Sequence, residues 1–592
     1  MVIARTHMGQ KIPILNGEVP LVQSGAEFIV PQLTSSKFGH KASSNGEVTK
    51  VEKDKFIHVK YKDGSTEVLE IVPRYSSTKR SSTIRISLDT LQPGDKFKTG
   101  ELIAWSKAFK DNALAIGKNK KVAVLNYLGL SHEDGYVISE DMSNDFQSEL
   151  VLKVPVIIPP NTKVLSFNKK QFTELNEPLI VFQHEKLENN NSDEYLANFD
   201  LIDSEFQNDV ETLYTSNANS IVIKSPGGEI VDIKIRLNSR MNVDPVVLNE
   251  WEDQNNKIKS IQKELKKNTS KNNLLDNIDT SVIKVGNHKL KGKDYEGALV
   301  EFYINTVNPA KTGNKIANRF GAKGVINHII SKDKIPSGEY SGNIDYFLAP
   351  AAILGRKNTV ILKELYLGKI LFNLKSVIKD IYEKHGFEKA KETLLFTYGT
   401  LDKTNVQLNI VKELKEETLK RKLNNDNFRF NFMVPPFGSV KFKDIKDVAK
   451  KLKIPLDERV YIKELDTWTK LPVPVGYAYI STMEQLSSDY ESTRSKAGYS
   501  ALTGQPLKRK IQMGGQSIGN LDIYNLLTFD CNNMMSELMT VRSDNVRAKN
   551  EVVNNIMEHG SSALPVDIKK GRTQDLFKMM MLSLGLDVKG KF

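Results

Sequence analysis

The stretch Lys311-Thr-Gly-Asn-Lys315-Ile-Ala-Asn-Arg319-Phe-Gly-Ala-Lys323-Gly-Val-Ile narrows the folds open to this chain more than any other segment. Cations recur every fourth residue, at Lys311, Lys315, Arg319 and Lys323, which is the spacing of one helical face. Gly313, Gly321 and Gly324 break that pattern. Each disfavours a helix interior by roughly 1 kcal/mol against alanine and favours turns and close backbone approach. The apolar run Gly297-Ala-Leu-Val-Glu-Phe-Tyr-Ile precedes the segment and reads as a strand. A strand-and-turn element that delivers two or more compact charges to an anion, such as phosphate, satisfies both patterns. It is not a Walker A loop, because Gly-Lys-Ser/Thr is missing at the required spacing. A solvated lysine loop is the plain alternative, and the segment alone does not separate the two.

A chain of 592 residues has room for roughly three to five domains and for a core that needs no covalent staple. The formal net charge of +12 favours an anionic partner such as nucleic acid, and equally fits a lysine-rich proteome. Cys531 is the only cysteine, so an intrachain disulfide and a cysteine zinc site are both unavailable. The histidines form no HExxH-like cluster. Metal chemistry is therefore expected to rest on carboxylates, which suit magnesium, with no zinc. The longest apolar run, about 346–354, falls short of the roughly 18 residues of a membrane span. The N-terminus does not read as a signal peptide, so a cytoplasmic protein without membrane contact is expected.

Residues 45–72 alternate as strands, with a tight turn at Asp63-Gly64, and a second turn falls at Pro93-Gly94. Residues 121–128 read as a buried strand leading into Glu133-Asp134-Gly135. In 150–290, strands are expected at 151–158, 220–224 and 229–236, followed by a helix with Leu248, Trp251, Ile258, Ile261 and Leu265 on one face. This stretch reads as a separate peripheral module, with 266–273 as a polar loop. Helices are expected at 359–384, 387–397 and 407–423, then strands and turns over 429–482. Helices at 519–540, 545–558 and 573–584 follow, the last capped by Gly585. The methionines at 534, 535, 539 and 579–581 have helix-core spacing and are expected to fill a core.

Three further motifs carry chemistry. Glu133 and Asp134 are adjacent carboxylates that repel each other, so a nearby cation or metal would stabilise them; an exposed acidic turn is the plain alternative. Arg356 sits just ahead of the 359–384 helix, where a guanidinium can share an anion with free N–H groups, or simply form a surface salt bridge. Residues 491–520 interleave Arg494, Lys496, Lys508, Arg509, Lys510 and Gln516 with glycines, a composition suited to a nucleic-acid backbone or to a basic loop. Asp200 and Asp203 lack a third carboxylate nearby and are not read as a metal site.

Taken in order, these segments resemble the C-terminal half of the β subunit of multisubunit DNA-dependent RNA polymerase. The resemblance begins near His7-Met-Gly-Gln10-Lys-Ile-Pro and continues through 115–124 and Glu133-Asp134. The lysine segment is similar to the family's double-psi barrel lysine motif. Gly476-Tyr-Ala-Tyr-Ile, Arg494-Ser, Gln505-Pro-Leu, Met513-Gly-Gly-Gln516 and Met539-Thr-Val-Arg-Ser-Asp544 follow as in the family. The departures are Ser492, Ser517 and Gly519-Asn520-Leu521-Asp522, where the family has histidine, arginine and Gly-Glu-Met-Glu. The N-terminal half of β has no counterpart here, so the resemblance implies a naturally split β subunit of the giant-bacteriophage kind.

The fold this implies is α+β and multidomain: a double-psi β-barrel core with a flap-like insertion and a helical C-terminal clamp or anchor region. Its domains would be 1–149 (hybrid-binding region and first part of the barrel), 150–290 (flap-like module), 291–358 (barrel completion with the lysine motif), 359–475 (helical and mixed insertion) and 476–592 (clamp and anchor). The activity implied is RNA synthesis from NTPs on a DNA template, in the assembled complex alone. Lys315 and Lys323 match the lysines at the RNA 3′-end and reacting phosphates, and Arg356 the arginine that grips the incoming triphosphate. Glu133 and Asp134 match the pair supporting the second Mg2+ indirectly. Gln10, Arg494, Lys510 and Gln516 fall at nucleic-acid contacts. The main Mg2+-binding aspartate triad would come from a separate β′-like chain. Further partners would be a β N-terminal-half chain and a promoter-specificity subunit, in the cytoplasm of an infected bacterial host or in the virion. The alternative function is a non-catalytic nucleic-acid-binding scaffold with a β-derived fold.

Overall fold

The computed structural model describes residues 9–52, 56–70, 80–81, 86–87, 92–106, 108–110, 113–184, 214–217, 220–268, 283–286, 288–290, 293–426, 428–435, 438–487, 494, 498–508, 514–561 and 571–588. They fall into two compact units. One draws on Met1–Val181, Lys224–Gly286 and Glu296–Ser487, the other on Phe182–Ile223, Asn287–Tyr295 and Ser488–Phe592.

At the heart of the first unit six strands close into a barrel. They are β1 (Gly117–Val124), β2 (Gly135–Ser139), β3 (Lys315–Ala317), β4 (Lys323–Ile330), β5 (Tyr346–Leu348) and β6 (Val473–Met483). β1 runs antiparallel to β6 from Gly117↔Ser481 to Ala123↔Val475, and parallel to β5. β5 is antiparallel to β2, and β2 is parallel to β4. The hairpin β3–β4 closes the ring through Ile316↔Thr482 and Ala317↔Ser481. The buried runs of β1 and β6 show little alternation, as strands covered on both faces require.

One of those covers is the helix Val360–Leu401, here α1, whose Leu365, Ile370, Leu371, Leu374 and Ile378 share a core with Val122, Ile138, Ile326 and Ile480 of the barrel. Its expected break near 385 is real: Gly386 takes φ 81 and divides the helix into two segments. The region expected to be one helix over 407–423 is instead two, Val406–Lys412 and Glu416–Asn424. A helix absent from the sequence reading, Phe442–Leu452 (α2), buries Ile445, Val448, Ala449 and Leu452. Its many lysines conceal a narrow apolar face.

Strand Ser148–Ile158 pairs antiparallel with Ala298–Asn308 along its whole length. The latter also pairs with strand Ser220–Leu237, which passes through Gly227 and Gly228 without interruption where two strands were expected. Helix Pro245–Asn268 buries Trp251, and Gln254 accepts a hydrogen bond from the Ile235 N–H at 3.0 Å. It extends three residues into the expected polar loop.

In the second unit, 519–540 is two helices, Asn520–Thr528 and Asn532–Met539, broken where Asp530 takes φ 53. Val546–His559 and Arg572–Ser583 follow. Gly585 ends the last helix at φ 78, with Leu586 N–H bonded to Met581 C=O at 2.9 Å, as a left-handed C-terminal cap does. The methionine expectation fails here: Met534, Met539, Met579 and Met580 are exposed. Helical spacing defines a face but does not supply the element that covers it. Among the described residues no helix is long and apolar enough to cross a membrane.

Candidate functional site

The lysine segment folds as a hairpin because two asparagines turn it. Asn314 Oδ1 accepts from Ser487 N–H at 2.9 Å. Buried Asn318 accepts from the N–H groups of Phe320 and Ala322, at 2.9 and 3.1 Å. The resulting register pairs Lys315 with Val325 and Ala317 with Lys323. Residues paired across strands share a face, as do residues two apart along a strand. Lys315 and Lys323 therefore stand on the same face, a diagonal pair roughly 7–8 Å apart. That face looks outward: Lys323, Val325 and Asn327 are exposed while Gly324 and Ile326 are buried.

β2 lies on the other side of β4. Gly135 pairs with Val325, and the Val325 N–H bonds to the Asp134 C=O at 3.0 Å. Lys315, Val325 and Gly135 thus form one row across three strands, which sets Asp134 roughly 10 Å from Lys315. Gly324 makes this junction possible. A Cβ there would fall 2.1 Å from both Asp134 O and the Tyr136 ring. Glu133 takes φ 47, a left-handed conformation that disfavours a non-glycine residue by roughly 1–2 kcal/mol.

Arg356 Nη2 meets Asp134 Oδ2 at 2.6 Å, with both side chains about half exposed, at 45% and 48%. That hydrogen bond and charge hold the guanidinium more firmly protonated than usual. Arg356 thus supplies a cation beside Asp134 of the carboxylate pair. It follows the short helix Pro350–Leu354 and lies four residues ahead of α1, so it does not share the α1 N-terminus. Gln10 joins the same neighbourhood: its C=O accepts from Glu484 N–H at 2.8 Å, and the next residue, Gln485, accepts from Lys315 N–H at 3.2 Å.

Arg319 does something different from its neighbours. Its guanidinium turns inward to Glu27 at 3.1 Å and Glu364 of α1 at 2.5 Å, and lies 5.4 Å from the Tyr479 ring centroid. Burial opposes its charge, but Glu364 and Glu27 outweigh that and strengthen protonation. Lys11 donates to Asn318 C=O at 3.1 Å, and burial, with Arg319 nearby, pushes its pKa down to about 8. The sequence reading missed Lys11, Glu27 and Glu364. Two signals were present: Ser24-x-x-Glu27 is a helix-capping pattern, and Glu364 interrupts an apolar helical stripe.

Arg494 and Gln516 belong to the second unit. Arg494 donates to Gly498 C=O at 3.1 Å and lies over the Tyr499 ring at 4.9 Å, so its guanidinium is engaged internally. Gln516 is exposed, and Asp522 accepts from Gly519 N–H at 2.9 Å at the start of a helix. Lys510, Lys496, Ser492, Asp200 and Asp203 lie outside the described residues. Among the described residues no group of three or more His, Cys, Asp or Glu side chains could hold a metal.

Lys315 and Lys323 share the outer face of the β3–β4 hairpin, and the Asp134–Arg356 pair lies beside the neighbouring strand, a set of charges of the kind that suits a phosphorylated anion. The family model for RNA polymerase Rpb2, domain 6, matches residues 102–512, more than half of the chain. The chain belongs to this family. Its relatives include proteins named DNA-directed RNA polymerase subunit beta. That of Mesomycoplasma hyopneumoniae strain 7448 is 25% identical over 572 residues, covering 94% of this chain and 38% of the relative. Those of Mycoplasmopsis pulmonis and Mycoplasmoides gallisepticum are 23% and 24% identical, covering 92% and 93% of this chain and 38% and 39% of the relatives. This Rpb2-family chain thus spans about two-fifths of the length of the curated relatives it matches, and corresponds to a C-terminal portion of β.

Proposed function

We propose that this chain is a subunit of a multisubunit DNA-dependent RNA polymerase and forms one side of its nucleotidyl-transfer centre. The observation that carries this reading is the shared outer face of Lys315 and Lys323 beside the Asp134–Arg356 pair. In the reaction the RNA 3′-hydroxyl oxygen bonds to the α-phosphorus of an NTP, the bond to pyrophosphate breaks, and the hydroxyl proton leaves. Negative charge moves onto the phosphate oxygens, and fixed cations stabilise it. Lys315 and Lys323 hold the RNA 3′-end region and the reacting phosphates. Arg356 grips the triphosphate, with Asp134 keeping the guanidinium in place until phosphate competes for it. Gln10 contacts the RNA, and Arg494, Lys510 and Gln516 the nucleic-acid backbone.

Glu133 and Asp134 offer the hard oxygen donors that magnesium takes through one or two carboxylates, with water and substrate phosphates completing its shell. They would hold the second Mg2+ indirectly, and that ion would neutralise phosphate charge. The main aspartate triad belongs to a β′-like chain, so this chain alone is inactive. The parallel pairs β1–β5 and β2–β4 fit a double-psi barrel, and the long-stranded sheet with its helix Pro245–Asn268 fits a flap-like module. Exposed methionines on the C-terminal helices fit a surface that packs against a β′-like subunit. The biological setting in this reading is a split, giant-phage-type polymerase in an infected bacterium or its virion, with a promoter-specificity subunit.

Reconstitution tests it. Co-expression with candidate β N-terminal-half and β′-like chains should yield a complex that incorporates NTPs on DNA. A complex that binds nucleic acid with no synthesis under any partner set would establish the scaffold alternative instead.

A further inference from the structure

Arg356 stands in the segment 355–358, which joins the helix Pro350–Leu354 to α1. The backbone bonds of this segment are local. The N–H groups of Gly355, Lys357 and Asn358 reach the C=O groups of Ala351, Leu354 and Ile353 at 2.9, 3.0 and 3.2 Å. Its ties to the lysine hairpin and the acidic turn are made by side chains. One is the Arg356–Asp134 pair. The other is Asn358, whose Nδ2 donates to the Phe320 C=O at 3.1 Å. Phe320 lies in the turn between Lys315 and Lys323, where Asn318 already holds its N–H at 2.9 Å. Both ties end on one hairpin, since the Asp134 C=O is bound by the Val325 N–H of β4 at 3.0 Å. Hairpin, Asp134, Arg356 and Asn358 thus close a ring.

Between the two tied residues, Lys357 takes φ 52, a left-handed conformation that its side chain disfavours. Such a conformation persists where the surroundings over-determine it. Lys357 is exposed, so packing of its own side chain does not enforce the turn, whereas Asn358 beside it is half-buried and anchored. We propose that Asn358 is a positioning residue for Arg356: it ties the backbone of the arginine segment to the lysine hairpin, so that the guanidinium is presented at a fixed place relative to Lys315 and Lys323. The inference rests on the reading of Arg356 as the triphosphate contact and deepens it. The half-exposed Asp134 pair is weak against water, and it opens when phosphate competes for the guanidinium. The Asn358 tie does not involve the guanidinium, so it outlasts that exchange and keeps the arginine beside the hairpin. Binding then has less chain to order, which is the advantage of a preorganised site.

Asn358→Ala and the bulkier Asn358→Leu, both lacking the donor, test it in the full chain and in the reconstituted polymerase. In the full chain, hydrogen exchange read by mass spectrometry should quicken severalfold over 354–358, with β1 and β6 unchanged, because the loss is local. In the polymerase the KM for NTPs should rise by about threefold to tenfold, the scale of one hydrogen bond, with kcat nearly unchanged. In an Arg356→Gln background the same substitution should add nothing further, because Asn358 acts through that arginine. Unchanged exchange over 354–358 overturns the proposal. So does an unchanged KM, or a KM that rises equally in the Arg356→Gln background. Failure of the underlying reading looks different: Arg356→Gln would itself leave the KM unaltered, or the complex would make no RNA, whatever Asn358→Ala does to exchange.

Discussion

The Arg356 guanidinium meets the Asp134 carboxylate at 2.6 Å across a sequence separation of 222 residues. Both side chains are about half exposed, so the pair by itself stabilises the fold by about 0–1 kcal/mol. Its consequence is positional: it fixes a cation at the start of β2, one strand away from the lysine hairpin. Arg356→Gln should leave the denaturation midpoint of the chain almost unchanged. In the assembled polymerase it should raise the KM for NTPs by about tenfold to a hundredfold, since a charged phosphate contact contributes roughly 1.5–3 kcal/mol. An unchanged KM would remove Arg356 from the triphosphate site.

Lys315→Ala in the reconstituted polymerase should slow elongation by about 10²–10³-fold, the scale for losing one preorganised charge at a reacting centre. Subunit assembly should be normal, because the side chain stands on the outer face of the hairpin. Lys311→Ala, outside β3, should have far less effect. Each lost phosphate contact should also lower the salt slope of nucleic-acid binding by roughly 0.7–0.9. Near-normal elongation by Lys315→Ala sinks the assignment.

Gly324→Ala tests the junction between hairpin and acidic pair. Its methyl group would sit 2.1 Å from Asp134 O and the Tyr136 ring, both held by the barrel. A loss of about 1–3 kcal/mol is expected from overpacking, read by urea denaturation, together with loss of the Lys315-dependent activity. Gly321 has open space where a Cβ would stand, yet it is no clash control, because its φ of 88 strains any side chain. Lys323→Ala serves instead, leaving stability within about 0.5 kcal/mol.

The Arg319 ion triad is buried, and breaking it leaves an uncompensated charge. Arg319→Met should destabilise the chain by about 3–5 kcal/mol. Removing one of the two carboxylate charges with Glu364→Gln in the same chain should recover part of that loss. If the double variant is less stable than Arg319→Met, the carboxylates are not the partners that matter.

Lys11 gives a pH signature. Its folded-state pKa of about 8 lies below the ordinary 10.5, so between those values the unfolded chain binds more protons than the folded one. The Lys11 contribution to stability therefore rises as pH increases from about 8 to 10.5, with a slope of at most about 1.4 kcal/mol per pH unit. Lys11→Met should flatten that rise in urea denaturation measured across the window. An unchanged profile would show that another group produces it.

The sequence by itself determined the local elements and the chemical types at the site. The family resemblance singled out Lys315, Lys323, Arg356, Glu133 and Asp134, while from the residues alone the glycines excluded a helix from the lysine segment, and the Asp63-Gly64 turn and a helix break near 385 were legible. These rest on backbone sterics and charge, which act between near neighbours. Only the tertiary structure decided how they combine. The register of β3 on β4 put the two lysines on one face, and the fold brought Arg356 to Asp134 across 222 residues. Arg319, indistinguishable from its neighbours by spacing, was drawn inward because Glu27 and Glu364 approach it from helices remote in sequence. The methionine faces were legible as faces, yet their exposure was not, since burial depends on what packs against a surface. Register, partner choice and burial are long-range properties, set by the closure of the barrel and not by any single segment.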